Sequence, residues 1–208
     1  MRARVPRGLY AITDPRLTPE PILLERVAAA IAGGAAMVQY RHKAADAATR
    51  RREAAALLAL CRAHDVPLIV NDDLALARAL GADGVHLGQG DADPGAAREA
   101  LGAHALIGVS CYNEIERARR ACAAGADYVA FGRFFASRTK PEAVHAEPTL
   151  LTRARAELDR PIVAIGGITP DNGAQLIAAG ADMLAVIDAL FGRSDVEAAA
   201  RRIAGLFE

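Results

Sequence analysis

Aromatic residues are scarce. The 208 residues contain no Trp, four Tyr and five Phe, which leaves little material for the stacking platforms of single-stranded nucleic-acid binders. An excess of charge is also missing. Lys and Arg total 25, as do Asp and Glu, and the formal net charge is zero. No basic field points to nucleic acid and no acidic tail to a basic partner. Cysteine is limited to Cys61, Cys111 and Cys122, an odd number without a CxxC spacing. That excludes a disulfide framework and fits reduced thiols. The histidines show no HxH or HExxH pattern, so a zinc centre is not expected. No apolar run reaches the roughly 18 residues of a membrane span. The basic stretch Met1–Arg7 precedes an apolar run of only Gly8–Ile12, too short for a signal-peptide core. A cytoplasmic protein without a membrane partner is the expectation. GxGxxG after the first strand, GxSxG, low-complexity linkers and composition breaks are absent as well.

What the chain does contain is a repeat of short apolar runs and alanine-rich helical segments. The runs are GLYAIT (8–13), AMVQYR (36–41), PLIVN (67–71), GVHLG (84–88), LIGVS (106–110), YVAFG (128–132), PIVAIG (161–166) and MLAVI (183–187). Near-continuous Val, Ile, Leu and Ala mark strands buried on both faces of a parallel sheet. In the first helical segment Leu23, Val27 and Ile31 form a stripe at a spacing of four. Several helices run into Gly-Ala, at Gly34-Ala35, Gly81-Ala82, Gly125-Ala126 and Gly180-Ala181, where glycine suits a left-handed cap. Eight strands alternating with helices predict a (β/α)8 TIM barrel over residues 1–208, one domain at the small end of the barrel size range. A doubly wound sheet normally has fewer strands.

Barrel enzymes carry their chemistry at the carboxyl ends of the strands, and polar residues gather there. Strand 1 runs into Thr13-Asp14, and strand 2 into Gln39, Arg41 and Lys43. Strand 3 runs into Asn71-Asp72-Asp73, strand 4 into Asp91, and strand 5 into Ser110. Strand 6 leads to Ser137-Arg138-Thr139-Lys140, strand 7 to Gly166-Gly167 and strand 8 to Asp188. The opposite ends carry mainly Gly, Ala and Pro. Gln39, Arg41 and Lys43, two apart, share one face while the strand persists and suit an oxygen-rich anion. Asp72 with Asp91 could share a hard cation such as Mg2+, while one of Asp72 and Asp73 caps a helix. Gly166-Gly167 could let backbone N–H groups approach a phosphate, as could the hydroxyls of Ser137 and Thr139 beside Lys140. The irregular stretch 133–147 is long for a barrel loop, which favours a functional role. His86 reads as a satisfied core residue, His42 turns away from the anion face, and Cys111 has no evident base.

Seven segments, in order, carry a family resemblance: LYAITD (9–14), QYRHK (39–43), NDD (71–73), GVHLGQGD (84–91), GVSCYN (108–113), FGRFFASRTK (131–140) and AIGGITPDN (164–172). The chain resembles the thiamine-phosphate synthase family along its whole length. The resemblance implies a transferase that joins a hydroxymethylpyrimidine diphosphate to a thiazole phosphate, giving thiamine phosphate and diphosphate with Mg2+ as cofactor. It places the pyrimidine diphosphate on Gln39, Tyr40, Arg41, His42, Lys43, Asn71, Ser110 and Lys140. Arg41, Lys43, Lys140 and Ser110 are its catalytic set. It places the thiazole phosphate on Ser137, Arg138, Thr139, Gly167, Ile187 and Asp188, and Mg2+ on Asp72 and Asp91. Ser137 stands where the family often has Thr, and Asp188 where it often has Ser. A carboxylate beside a phosphate repels it unless it turns to cap the last helix. The rivals are a thiazole tautomerase-like relative on the same barrel, a Schiff-base aldolase using Lys43 or Lys140, and a non-catalytic sensor of phosphorylated ligands. Alanine-rich outer helices leave a homo-oligomer open.

Overall fold

The structure, a computed structural model, describes residues 5–136 and 144–208. The eight apolar runs form eight parallel strands. These are β1 (Gly8–Ile12), β2 (Ala35–Tyr40), β3 (Leu68–Asn71), β4 (Gly84–Leu87), β5 (Leu106–Tyr112), β6 (Tyr128–Phe131), β7 (Ile162–Ile165) and β8 (Met183–Val186). They pair in sequence order, and β1 closes against β8 with Gly8 opposite Met183 and Ala11 opposite Val186. Helices follow the strands: α1 (Leu23–Ala32), α2 (Ala47–Ala63), α3 (Leu74–Leu80), α4 (Pro94–Leu101), α5 (Ile115–Ala123), α6 (Thr149–Glu157), α7 (Gly173–Ala178), α8 (Asp188–Phe191) and α9 (Val196–Ala204). The expected TIM barrel is therefore the fold. Among the described residues no helix is long and apolar enough to cross a membrane.

Strand alternation divides the apolar residues between two layers. Tyr10, Met37, Ile69, Leu106, Tyr128 and Met183 fill the barrel interior. Leu9, Val38, Leu68, Val129, Leu184 and their neighbours face the helices. The α1 stripe is slightly rotated from expectation: Leu23, Val27 and Ala30 are buried, while Ile31 is only partly covered. Aspartates start four of the helices. Asp46, Asp73, Asp93 and Asp195 each accept a bond from a first-turn N–H, at Thr49, Leu76, Gly95 and Ala198. Such a cap stabilises a helix by roughly 1 kcal/mol. Cys61 and Cys111 are buried and Cys122 is half-buried. Burial pushes the Cys61 and Cys111 thiols up to about 12, so neither is a ready nucleophile.

The amino-terminal rim corrects one expectation. The Gly-Ala pairs at 81–82, 125–126 and 180–181 are each followed by an aspartate that works. Asp83 accepts the Leu68 N–H at 2.9 Å, Asp127 the Ile107 N–H at 2.8 Å, and Asp182 the Ile162 N–H at 2.7 Å. Each carboxylate thus clasps the preceding strand, joining β3 to β4, β5 to β6 and β7 to β8. Arginines from the preceding even-numbered helices reinforce this. Arg62 donates to the Gly81 carbonyl, Arg98 to Gly125 and Asp127, and Arg155 to Gly180 and Asp182. Gly34, Gly81, Gly125 and Gly180 have positive φ, between 62° and 116°. At β2 the corresponding position is Ala36, and no carboxylate is available there.

Candidate active site

The carboxyl ends of the strands surround a cavity of about 510 Å3. Gln39, Arg41, Asn71, Ser110, Gly166, Gly167 and Asp188, all singled out in the sequence, are among its walls. Ile187 lines it too. The barrel interior forms its floor through Tyr10, His86 and Ile165. A second cavity of about 320 Å3 lies beside it, bounded by Tyr40, His42, Lys43, Arg50, Asp72 and Asp73. Asn71 borders both.

The two cavities divide the Gln39–Arg41–Lys43 triplet. Strand β2 ends at Tyr40, and the Arg41 N–H leaves the ladder for the Thr13 hydroxyl at 2.8 Å. With the strand finished, the two-residue alternation stops. Lys43 therefore departs from the face of Gln39 and Arg41, and its ammonium meets the Asp72 carboxylate at 2.6 Å. Tyr40 and His42 project toward α2. The Tyr40 hydroxyl donates to Glu53 Oε2 at 2.7 Å, and His42 Nδ1 lies 2.8 Å from the same oxygen. Glu53 is a buried carboxylate that the sequence analysis did not single out.

Asp72 and Asp73 take different roles. Asp73 caps α3, as one of the pair was expected to do. Asp72 adopts a left-handed φ of 62° and is thereby swung out of register with the cap. Its carboxylate converges with that of Asp91 over Gly88, whose N–H donates to Asp91 Oδ2 at 2.6 Å. A Cβ on Gly88 would lie 3.0 Å from Asp91 Oδ2, a tight approach, and 4.0 Å from Asp72 Oδ1, an ordinary contact, so glycine here leaves the Asp91 carboxylate uncrowded. Burial opposes the charge of Asp72, but Lys43 and Asp91 outweigh it and hold its carboxyl below the usual range. Burial and then the Asp72 charge push Asp91 upward against the bond from Gly88. Two carboxylates that compete for one proton form a donor set suited to a hard divalent cation. No cluster of three or more His, Cys, Asp or Glu suited to a metal occurs among the described residues, so such a cation would draw its other oxygens from ligand and water.

On the far side, Gly166 and Gly167 turn with φ of 103° and 66°. A Cβ on Gly167 would stand 2.3 Å from the Ala136 carbonyl oxygen. Asn172 holds the turn by donating to the Gly167 carbonyl at 3.1 Å and accepting from the Thr169 N–H at 2.8 Å. Asp188 is the first residue of α8, next to the uncapped Ile187. It does not cap the last helix; Asp195 does, because α9 begins after a separate turn. Arg16 lies close enough to feel the Asp188 charge while it forks onto Asp14 at 3.0 and 3.1 Å. Ser137, Arg138, Thr139 and Lys140 lie outside the described residues. The ends of their segment are tied together, with Arg133 N–H on the Val144 carbonyl at 3.0 Å and Ala146 N–H on the Arg133 carbonyl at 2.8 Å.

Sequence reading missed one group. Tyr10, Gln39, Tyr128, His86 and Ser110 form a continuous hydrogen-bonded line across the cavity floor. A Tyr inside a buried apolar strand was the available signal, because a buried hydroxyl needs a partner.

Fold and site together define a (β/α)8-barrel protein with a polar cup at the carboxyl ends of its strands, the position at which barrel enzymes act. The sequence pattern of a family described as thiamine monophosphate synthase matches residues 9–190. A thiamine-phosphate synthase of Acidithiobacillus ferrooxidans is 54% identical over 203 residues, covering 96% of this chain and 94% of that one. One of Azoarcus sp. (strain BH72) is 58% identical over 189 residues, covering 91% of each. The solved thiamine phosphate pyrophosphorylase of Pyrococcus furiosus superposes with a TM-score of 0.87 at 35% identity, covering 96% of this chain and 94% of that one. The chain belongs to the thiamine monophosphate synthase family. It is an enzyme, a transferase of thiamine biosynthesis.

Proposed function

We propose that the enzyme joins 4-amino-2-methyl-5-(diphosphooxymethyl)pyrimidine to 4-methyl-5-(2-phosphoethyl)thiazole, or its 2-carboxylate, forming thiamine phosphate and releasing diphosphate. The observation that carries this reading is one cavity with two kinds of wall. Arg41, Asn71 and Ser110 border it on the side of Lys43, Asp72 and Asp91, and the Gly166-Gly167 turn borders it opposite. That layout suits two phosphorylated ligands meeting across the barrel axis.

In the bond-breaking step the methylene carbon–oxygen bond cleaves and both electrons leave with the diphosphate. The remaining pyrimidine cation is stabilised by its ring nitrogens and exocyclic amine. The thiazole nitrogen lone pair then forms the new carbon–nitrogen bond. With the 2-carboxylate, CO2 departs afterwards and a proton takes its place. Arg41 at the cavity wall and Lys43 at the neighbouring cavity would neutralise the charge that builds on the leaving diphosphate, and charge-assisted bonds there lower the barrier. Gln39 and Asn71 orient the pyrimidine end, and the 166–167 turn offers backbone N–H groups to the thiazole phosphate. Lys140 and the Ser137–Thr139 hydroxyls belong to the same proposal through the family motif they match. The thiazole nitrogen is already nucleophilic, so positioning replaces activation and no general base is needed for the bond-forming step. Asp72 and Asp91 would hold Mg2+, which when bound supplies positive charge against the diphosphate oxygens.

The test is turnover of the two substrates with Mg2+, read as thiochrome fluorescence after oxidation. A signal lost on chelation and restored by Mg2+ supports the reading. No turnover with both ligands bound by calorimetry overturns it in favour of a ligand sensor. Binding of the thiazole phosphate alone overturns it in favour of a tautomerase-like relative.

A further inference from the structure

The line of side chains on the cavity floor has a direction. Gln39 Nε2 donates to the Tyr10 hydroxyl at 2.7 Å. The Tyr10 and Tyr128 hydroxyls lie 3.0 Å apart, and because Gln39 Nε2 can only donate, the arrangement that gives the Tyr10 hydrogen an acceptor in this line runs from Tyr10 to Tyr128. In that arrangement the Tyr128 hydrogen faces His86 Nδ1, 3.1 Å away. A ring nitrogen that accepts leaves the other to carry the proton in the neutral imidazole. That other nitrogen, Nε2, lies 2.9 Å from Ser110 Oγ. Ser110 therefore accepts from His86, and its own hydrogen points elsewhere. Ser110 borders the cavity.

The line is built into the barrel. Its members come from β1, β2, β6, β4 and β5 and lie up to 118 residues apart in sequence. Tyr10, Tyr128 and Gln39 are at most 2% exposed, and His86 is 8% exposed. The Tyr128 ring occupies the space a side chain at position 108 would need: a Cβ on Gly108 would lie 2.0 Å from Tyr128 Cζ. Tyr10 packs edge-on against Tyr128 at 6.1 Å between ring centres. Burial pushes both phenols up, so they remain neutral donors at any working pH.

We propose that Tyr10, Tyr128 and His86 are positioning residues that fix the polarity of Ser110, holding its hydroxyl as a hydrogen-bond donor toward an acceptor atom of the pyrimidine diphosphate. This rests on the reaction proposed above for the identity of the ligand, and not for the direction of the line. Leaving the line unpolarised would let Ser110 donate to His86 instead and present the ligand with an acceptor.

Two measurements decide it. The first is a long-range 15N–1H correlation spectrum of the resting enzyme with 15N-labelled histidine, the His86 signal being assigned by its loss in His86→Gln. A proton on Nε2 alone is expected, and a proton on Nδ1 overturns the proposal. The second is a double-mutant cycle. Tyr128→Phe is expected to lower kcat/KM for the pyrimidine diphosphate roughly five- to tenfold, the worth of one oriented neutral hydrogen bond. The same change made in Ser110→Ala should cost less than about twofold, because the two residues act as a unit. Equal losses in both backgrounds overturn the proposal. Should Tyr128→Phe fail to fold, Tyr10→Phe interrupts the same line and is read by the same cycle. The spectrum needs no turnover, so failure of the proposed reaction and failure of the polarity are separately visible.

Discussion

The Lys43 ammonium lies 2.6 Å from Asp72 Oδ2, so the one strand-end lysine of β2 is tied to a carboxylate of the neighbouring strand end rather than to the central cavity. The pairing keeps Asp72 ionised beside Asp91, the partner whose proton is harder to lose. Removing one charge from this pair should weaken cation binding more than folding. Asp91→Asn is expected to raise the Mg2+ concentration for half-maximal activity by at least about tenfold, the lower end of what even indirect supporters of a metal site contribute. Mg2+ titration of the initial rate checks this, and an unchanged midpoint would show that Asp91 is not a ligand.

Gly108→Ala should be costly, because the new methyl has nowhere to go: the Tyr128 ring already fills the space over position 108. Overpacking of this kind costs about 1–3 kcal/mol, which for a chain of this size lowers Tm by roughly 2–12 °C. Calorimetry would register it. Combining it with Tyr128→Ala should recover part of the loss, since the clash disappears with the ring.

Asp14 sets an acid limit. Burial works against its charge, but the forked bond from Arg16 and the nearby Arg41 more than offset that and hold its carboxyl below 3.8. A depressed value means the stabilisation is fully present above the unfolded-state value and disappears as pH falls through the folded one. Arg16 is largely exposed, which keeps the contribution modest. Asp14→Asn is accordingly expected to be less stable at pH 7 and to show a flatter Tm between pH 5 and pH 3. A wild-type slope in the variant over that interval would remove Asp14 as its source.

The aspartate clasps predict a separation of stability from activity. Asp182→Ala leaves the Ile162 N–H without its acceptor and Arg155 with only the Gly180 carbonyl, a loss of about 1–3 kcal/mol when a partly buried donor goes unpaired. Asp182→Asn retains an acceptor oxygen and should restore most of it. Both variants should keep wild-type KM for either substrate below their unfolding temperature, as the clasp sits at the opposite rim from the cavity.

The eight strands were legible because a parallel sheet covered on both faces demands unbroken apolar runs, and the cup was legible because polar side chains gather at the carboxyl ends of those runs. Individual assignments failed where local periodicity gave way. Lys43 was placed with Gln39 and Arg41 on the assumption that β2 continues, whereas the strand ends at Tyr40. Asp83, Asp127 and Asp182 escaped notice because a carboxylate that bonds to a backbone N–H of the neighbouring strand has no signature in its own segment. Tyr128 and His86 looked like core residues, and they are; their directionality exists only once strands from distant parts of the chain are side by side. Asp188 kept its place at the cavity wall, but it does not turn to cap the last helix, which starts eight residues later with Asp195 as its cap.

The clasps also bear on how such a barrel can change over generations. Each holds two adjacent strands together from below using residues that touch no ligand, so the rim above is free to exchange its side chains without the cylinder opening. Solved barrels, a native KDPGal structure and a 3-hexulose-6-phosphate synthase among them, share the fold with this chain at only 13–20% identity. In this chain, sequence change is therefore expected to be tolerated at the upper rim and costly at the clasped one. The seam between β1 and β2, where Ala36 stands in place of an aspartate, has no such clasp and is held by its ladder and side-chain packing.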